Sequence, residues 1–238
     1  MIVRALRNWL LPPSYEEVER EELAFYRASV RGGMTILDAG ANVGTLTLLF
    51  AKLAAPGVVH AFEPGAATFA KLEAALAKAG AANVVANRLA LAGRAGPLCL
   101  NSYDGPFHPF STLAERPLAA YGVDAGPARQ EEIEATTVDA YCEENGIAKI
   151  DLLKIDVEGA ELQVLQGAGR MLGEKRIACV AFEFGQATFD MGNRPRQLAG
   201  LFRAHGYRVT NLVGGARLFP GGRDVRTARF AMHLARPR

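Results

Sequence analysis

The stretch TILDAGANVG, at positions 35–44, decides the fold expected for this chain. Its apolar start is typical of a buried strand, and an apolar helical pattern begins two residues after it. A strand that enters a helix through a small-residue loop is the unit with which α/β sheets bind ligands at strand ends. Gly40 and Gly44 read G-x-x-x-G, with Asn42 between them. Asn tolerates left-handed backbone angles, so the tight turn can still form.

The acid in this turn favours one class of ligand. A carboxylate at Asp38 would repel a pyrophosphate, whereas S-adenosylmethionine carries an ammonium, a sulfonium and a ribose diol but no phosphate. Residues 58–63, VVHAFE, indicate the next strand, and Glu63 at its end is placed to accept hydrogen bonds from ribose hydroxyls. The alternative is that Glu63 caps the following helix. Adenine is expected against residues 89–91. The predicted cofactor-binding residues are Asp38, Gly40, Asn42, Gly44, Glu63 and Ala90.

Composition narrows the function classes. The 238 residues are 50% hydrophobic and carry a net charge of +2, so a sizeable core is expected and there is no basic tract to indicate nucleic acid binding. Three scattered cysteines suggest neither a disulfide framework nor a zinc site, and Cys99 and Cys179 are expected in the core. Because no apolar stretch reaches membrane-span length, we expect a soluble cytoplasmic protein.

The first 33 residues are predicted to form a helical extension before one α/β domain at 34–238. Residues 1–11 place apolar side chains at helical spacing between arginines, and two prolines end that pattern. Ser14 and Glu17 then form a capping-box signal for a helix that runs to about Val30. We expect this extension to pack on the domain or on a partner subunit, which makes a homo-oligomer possible. A membrane-surface role is the alternative.

From residue 34 onward strands alternate with helices. Further strands are predicted at 83–89, 150–156 and 177–184, and a closing pair at 207–213 and 230–234. The intervening helices are predicted at 42–53, 66–79, 157–172 and 195–205. This alternation predicts a doubly wound, mostly parallel α/β sheet with helices on both faces.

The segment at about 93–138 departs from this alternation of strands and helices. It is rich in Pro and Gly, and it contains short strand-like pieces at 98–100 and 132–136. Irregular segments of this length inside a compact domain are usually functional loops. We interpret it as the substrate-side wall; a merely structural β insertion is the alternative.

A second unusual stretch, IDLLKIDVEG at 150–159, combines a buried strand with charges. Lys154 and Asp156 project to the same face of that strand near its C-terminal end. A buried ammonium needs a partner, and Asp156 and Glu158 are the nearest candidates, with Glu183 at the end of the fifth strand. The pattern therefore predicts one amine and up to three carboxylates around a cleft. A structural ion-pair network is the alternative.

Three motifs together resemble one family. DAGANVG at 38–44, FEP at 62–64 and LKIDVEGAE at 153–161 resemble the FkbM-type S-adenosylmethionine-dependent methyltransferases, and similarity extends over about 34–184. The resemblance implies a seven-stranded, Rossmann-like class I methyltransferase fold. It also implies O-methylation of a hydroxyl on a sugar, lipid or small natural product, so a small-molecule, glycan or lipid acceptor is expected.

Methyl transfer to a hydroxyl requires positioning of the acceptor and removal of its proton. The predicted catalytic residues, in order of preference, are Asp156, Lys154, Glu158, Glu183 and His108. Asp156 and Glu183 could instead hold Mg²⁺, although a metal-free site is favoured. The rival functions are a nicotinamide-dependent oxidoreductase, which lacks its G-x-G-x-x-G turn here, and an inactive methyltransferase-fold binding subunit.

Overall fold

The computed structural model describes residues 11–238. The helix predicted over residues 1–11 therefore lies outside the described residues, apart from Leu11. The helices are α1 (Tyr15–Ser29), α2 (Thr45–Ala54), α3 (Ala66–Ala79), α4 (Val138–Glu144), α5 (Glu161–Gln166), α6 (Gly169–Gly173), α7 (Gln186–Asp190) and α8 (Pro195–Ala204). The strands are β1 (Thr35–Ala39), β2 (Val58–Phe62), β3 (Val84–Asn87), β4 (Ala90–Leu91), β5 (Gly96–Ser102), β6 (Arg129–Thr136), β7 (Leu152–Ile155), β8 (Val180–Phe184), β9 (Tyr207–Asn211) and β10 (Ala231–Pro237).

The main sheet has seven strands in the order β3-β2-β1-β7-β8-β10-β9. All its pairings are parallel except those of β10, which runs antiparallel to both β8 and β9. The prediction of a mostly parallel, doubly wound sheet closed by an antiparallel strand is confirmed. The strand order reverses direction between β1 and β7, and such a switch point opens a crevice at the carboxyl ends of the strands.

Helix α1 packs against the domain's own sheet. The Ser14 side chain accepts a hydrogen bond from the Glu17 N–H at 3.2 Å and caps the helix, as its sequence predicts. Val18 and Tyr26, two turns apart, are both buried, and the Tyr26 ring meets Phe50 edge-on with 4.8 Å between ring centroids. The apolar face of this helix is therefore used within the chain. Homo-oligomerisation through the N-terminal helices stays a prediction.

The middle segment forms a second, three-stranded sheet in the order β4-β6-β5. The two strand-like pieces predicted at 98–100 and 132–136 lie inside β5 and β6, while the two-residue strand β4 and two 3₁₀ turns, at Gly105–Phe110 and Leu118–Tyr121, carry no periodic signal. The expectation that Cys99 lies in the core is wrong. This residue is exposed because β5 is an edge strand with one face turned outward.

The helix predicted over 157–172 is divided. Glu158 and Gly159 both have positive φ angles, of 50° and 104°, so helix α5 begins only at Glu161. A Cβ atom on Gly159 would lie 2.2 Å from the carbonyl oxygen of Ala187, and only glycine allows this close approach. The turn at 157–160 therefore presents its side chains to the crevice. Every helix in the described part of the chain is too short or too polar to span a bilayer.

Candidate functional site

A cavity of about 1030 Å³ lies at the carboxyl ends of the central strands. Its walls come from the β1–α2 turn, the end of β2, the turn after β7, the end of β8 and the middle segment. Helix α1 and the turn before β10 complete the walls. This volume is at the upper end of the range for small-molecule sites, about 300–1,000 Å³, so it has room for more than one ligand.

The β1–α2 turn is packed tightly against the strand end opposite it. Gly40 has a φ of 77°, and a Cβ atom there would lie 1.8 Å from the carbonyl oxygen of Asp156. Gly44 also has a positive φ, and its Cβ would lie 2.7 Å from Leu72. Asn42 adopts the left-handed conformation predicted for it, with φ 51°. Each of these three positions thus matches a backbone requirement of the turn.

Glu63 joins this turn to the start of helix α3. Its carboxylate accepts hydrogen bonds from the Asn42 N–H at 3.1 Å and the Gly65 N–H at 3.0 Å, and it lines the cavity. Burial raises the pKa of Glu63 to about 7, despite the backbone hydrogen bonds that favour its charged form. Its capping contact does not prevent a ligand contact, because each carboxylate oxygen has a second lone pair.

Two further predicted cofactor residues border the same space. Ala90 lines the cavity together with its neighbours at 89 and 91. The Asn42 side-chain oxygen is buried and has no hydrogen-bond partner among the described residues. An unpaired buried acceptor is costly, so a group that donates to it is expected.

Asp38 and Lys154 form an ion pair in the floor of the site. They are direct cross-strand partners in the β1–β7 register, so their side chains share one face of the sheet. The Lys154 Nζ lies 3.2 Å from Asp38 Oδ1 and 3.5 Å from Asp156 Oδ2, and it donates to the Gly40 carbonyl at 2.9 Å. The Thr47 hydroxyl donates to the other Asp38 oxygen at 2.7 Å.

This geometry revises two expectations. Asp38 is fully buried and lies behind the cavity wall, so it does not line the space where its ligand contact is expected. Lys154 takes Asp38 as its nearest partner, with Asp156 next, whereas Glu158 pairs elsewhere. Burial would lower the pKa of Lys154, but the Asp38 and Asp156 carboxylates outweigh it and raise that pKa well above its usual value.

The three predicted carboxyl groups do come together. One oxygen each from Asp156, Glu158 and Glu183 lies within 4.8 Å of the other two, and the carboxyls of Asp156 and Glu183 share a hydrogen bond. The Asp156 side chain is 39% exposed to the cavity, whereas Glu183 is buried. The group is thus open to a ligand on the Asp156 side.

Charge is distributed unequally over these carboxyls. Burial would raise the pKa of Asp156, but the Lys154 ammonium and the hydrogen bond with Glu183 lower it below its usual value. Burial and then the Asp156 charge raise the pKa of Glu183 well above its usual range, and they raise that of Glu158 to about 8. The surroundings therefore favour the negative charge on Asp156 and the proton of the shared hydrogen bond on Glu183.

Arg116, which the sequence analysis missed, ties the middle segment to this cluster. Its guanidinium lies 2.7 Å from Glu158 and 3.0 Å from Asp190, and all but about 6% of its side chain is buried. The Thr112 hydroxyl donates to the Glu158 carbonyl at 2.6 Å. Arg116 lies in an aperiodic segment 42 residues from its partner, so no pattern in the sequence marks it.

The remaining candidate, His108, lines the main cavity and a smaller one beside it that Glu63 and Lys71 also border. Burial, and then the charge of Lys71, lower the pKa of His108, so the ring is neutral at pH 7. The structure therefore places a neutral imidazole on the Glu63 side of the site.

Comparison with known proteins gives one family. Residues 38–209 match the model of the methyltransferase FkbM domain. The chain is 34% identical over 201 residues to the 31-O-demethyl-FK506 methyltransferase FkbM of Streptomyces tacrolimicus, covering 76% of this chain and 75% of that protein. It is 31% identical over 198 residues to the methyltransferase sdnD of Sordaria araneosa, covering 74% of each.

Solved structures support the fold. A precorrin-6y C5,15-methyltransferase from Geobacter metallireducens superposes with a TM-score of 0.50 at 12% identity, over 92% of this chain and 87% of that one. A putative rRNA methylase from Clostridium thermocellum gives a TM-score of 0.50 at 11% identity, over 95% and 99%. At these identities the similarity shows a shared fold.

The buried ion pair between Asp38 and Lys154 should contribute more to stability than the exposed pair between Lys149 and Asp151, although the exposed pair has the shorter distance. Replacing Lys154 with Met leaves Asp38 buried without its cation, and we expect a loss of about 3–5 kcal/mol in the free energy of unfolding. Lys149→Met is the control, because Lys149 lies 2.8 Å from Asp151 with 60% of its side chain exposed; a change below about 1 kcal/mol is expected there. Urea denaturation measures both. Equal losses would contradict the assignment of the Asp38–Lys154 pair as the structural one.

The carboxyls with raised pKa values predict how stability depends on pH. Burial raises the pKa of Glu22, Glu63 and Glu161 to about 7 and that of Glu158 to about 8. A pKa that is higher in the folded than in the unfolded state favours folding at low pH, and this stabilisation is lost as pH rises through the folded value. The melting temperature of the ligand-free protein should therefore fall between pH 5.5 and 8.5, and fall less in Glu158→Gln. Calorimetry at the two pH values checks this; a rise would contradict it.

Proposed function

Since the chain belongs to the FkbM methyltransferase family, we propose that it is an S-adenosylmethionine-dependent O-methyltransferase acting on a hydroxyl of a small molecule, glycan or lipid. One observation carries the proposal. A single cavity connects the β1–α2 turn and Glu63 with an ionised carboxylate, Asp156, at the neighbouring strand end. A cofactor position and a proton acceptor are thus arranged around one space.

The residues at the turn fit the proposed cofactor. The Asn42 side-chain oxygen needs a donor, and Glu63 can accept hydrogen bonds from a ribose diol. We assign the ribose to Glu63, the amino-acid end to the turn around Asn42, and adenine to the segment at Ala90. Asp38 contributes indirectly, because its ion pair fixes Lys154 and, through the Gly40 carbonyl, the turn itself. When bound, the cofactor supplies an electrophilic methyl group on its sulfonium.

Asp156 is the proposed catalytic residue. It opens onto the cavity, whereas Glu183 is buried, and of the two it is the carboxyl whose surroundings favour the charged form. We assign Asp156 to accept a hydrogen bond from the acceptor hydroxyl and so to orient the oxygen lone pair. As the oxygen takes the methyl group its proton becomes strongly acidic and passes to a carboxylate oxygen of Asp156. A carboxylate of low pKa suffices for this late transfer, so Lys154 can hold Asp156 ionised without abolishing its role.

Two alternatives to this proposal remain. One concerns the role of the carboxyl cluster, and the other concerns the activity of the whole chain. Asp156 and Glu183, together with Glu158, are oxygen ligands that could hold Mg²⁺. We favour the metal-free site, because the Lys154 ammonium already lies beside Asp156 and the Arg116 guanidinium beside Glu158, and both would repel a further cation. An inactive binding subunit would bind cofactor without turnover. The oxidoreductase hypothesis is not retained, since the chain is a member of a methyltransferase family.

Glu63 gives the first test of the cofactor site. In Glu63→Ala, S-adenosylhomocysteine should bind more weakly by about 1.5–3 kcal/mol, the contribution of a charge-assisted hydrogen bond. Glu73→Ala, an exposed change on the following helix, should bind normally. Isothermal titration calorimetry measures both affinities. An unchanged affinity in folded Glu63→Ala would remove this residue from the cofactor site.

Asp156 gives the test of catalysis. Asp156→Asn should lower the rate of methyl transfer by about 10²-fold or more, while S-adenosylhomocysteine affinity changes little. Transfer of labelled methyl groups to a panel of hydroxyl acceptors measures the rate, and calorimetry measures the affinity. We expect EDTA to leave the wild-type rate intact; a loss that Mg²⁺ restores would assign the carboxyls to a metal instead. Full activity in Asp156→Asn would exclude Asp156 both as the proton acceptor and as a metal ligand, and Glu158 and Glu183 would then be the catalytic candidates.

A further inference from the structure

One wall of the cavity is built from segments near the two ends of the described chain. Helix α1 lines it with Tyr15, Glu19, Glu22 and Leu23, and the turn before β10 lines it with Ala228, Arg229 and Phe230. Both segments lie outside residues 38–209, which match the family model. This wall, which we call the end wall, is therefore a feature of this chain that the family match does not describe.

An aromatic pair forms the rim of the end wall. The rings of Tyr15 and Phe230 are 4.8 Å apart between centroids and inclined by 39°. Tyr15 remains 55% exposed, although its helix is held in place by Val18, which packs with Val213 and Met232. A large exposed ring on a well-anchored helix offers apolar surface that a ligand can cover without reorganisation.

The end wall faces the catalytic carboxyls. Phe230 immediately precedes β10, which pairs with β8, whereas Glu63 follows β2, on the other side of the central strands. The Tyr15 hydroxyl donates to Glu19; burial, that contact and then the charges of Asp156 and Glu183 raise the pKa of Tyr15. Tyr15, Asp156 and Glu183 line the same cavity. The space between the aromatic pair and Asp156 therefore lies next to the hydrogen-bonding group that an acceptor needs.

Of the three lysine and arginine side chains in residues 11–238 that line the cavity, two are paired with carboxylates. Lys154 is held by Asp38 and Asp156, and Arg116 by Glu158 and Asp190. Arg229, at the exposed rim, directs one guanidinium nitrogen to the carbonyls of its own turn. The end wall itself adds Glu19 and Glu22. Arg229 has no carboxylate partner among the described residues, but it lies at the exposed rim, whereas six of the described carboxyl side chains line the cavity. An anionic acceptor beside Asp156 would thus be buried among these carboxyls, which is unfavourable.

We propose that the end wall is the acceptor-binding surface, that Tyr15 is its specificity-determining residue, and that the site selects uncharged hydroxyl compounds against anionic ones. This inference rests on the proposed methyltransferase function and adds the class of its acceptor. The acceptor's apolar face covers the Tyr15 and Phe230 rings, and its hydroxyl meets Asp156. The ring of Tyr15 acts by packing, so the ring and not its hydroxyl carries the effect.

The experiment uses matched neutral and anionic acceptors with the full chain. The probes are 4-nitrophenyl β-D-glucopyranoside against its glucuronide, and cyclohexanol against 4-hydroxycyclohexanecarboxylate, each with labelled S-adenosylmethionine. Wild type should methylate at least one neutral member with a kcat/KM at least tenfold above that of its anionic counterpart. Tyr15→Ala should raise KM for that acceptor about tenfold with little change in kcat. Tyr15→Phe should retain the wild-type KM, and Arg20→Ala, an exposed change outside the cavity on the same helix, should do the same.

Calorimetry with S-adenosylhomocysteine separates the two levels of the proposal. If the wild-type protein does not bind S-adenosylhomocysteine, the proposed methyltransferase function itself is overturned. With binding intact, failure to methylate either neutral probe, or preference for the anionic members, would overturn the selection by charge. An unchanged KM in folded Tyr15→Ala, or an equal rise in Arg20→Ala, would overturn the assignment of Tyr15.

Discussion

The ion pair between Asp38 and Lys154 is the constraint on which the rest of the site depends. It joins the two strands on either side of the point where the sheet order reverses, with an oxygen–nitrogen distance of 3.2 Å and almost no exposure to solvent. Removing water from both charges is expensive, so such a pair persists only where further contacts complete it. Thr47 and the Gly40 carbonyl complete it here. The same contacts hold the β1–α2 turn and the end of β7 in one arrangement.

Lys154 also sets the charge of the group that faces the ligand. By favouring ionised Asp156, it drives the proton of the neighbouring pair onto Glu183, and the raised pKa of Glu158 follows from the same negative charge. One buried cation thus distributes protons over three carboxyls. Pairs of titratable groups whose surroundings separate their pKa values are a common basis for acid–base chemistry, and the structural pair and the proposed catalytic pair share this lysine.

Two parts of the molecule that carry none of the three family motifs, the middle segment and helix α1, complete the cavity. Arg116 anchors the middle segment to Glu158 and Asp190, and helix α1 closes the opposite side through an apolar face that packs on the sheet. The sequence marks α1 as a capped helix but does not mark what its polar face meets. The middle segment lies within residues 38–209, which match the family model, whereas helix α1 lies outside them. We attribute cofactor binding to residues that match the family model and choice of acceptor to the end wall.

The sequence by itself determined the strand–turn–helix unit at 35–44, the alternation that yields a doubly wound sheet, the left-handed Asn42 and the gathering of Asp156, Glu158 and Glu183. These follow from local patterns, because hydrophobic periodicity and turn chemistry act over a few residues. Only the tertiary structure decided that Asp38 lies behind the wall as the partner of Lys154, that Arg116 pairs with Glu158, and that Tyr15 lines the same cavity as the carboxyls. Each of these depends on strand register or on contacts across tens to hundreds of residues. Such pairings are fixed by how the elements pack, and packing leaves no periodic trace in the chain.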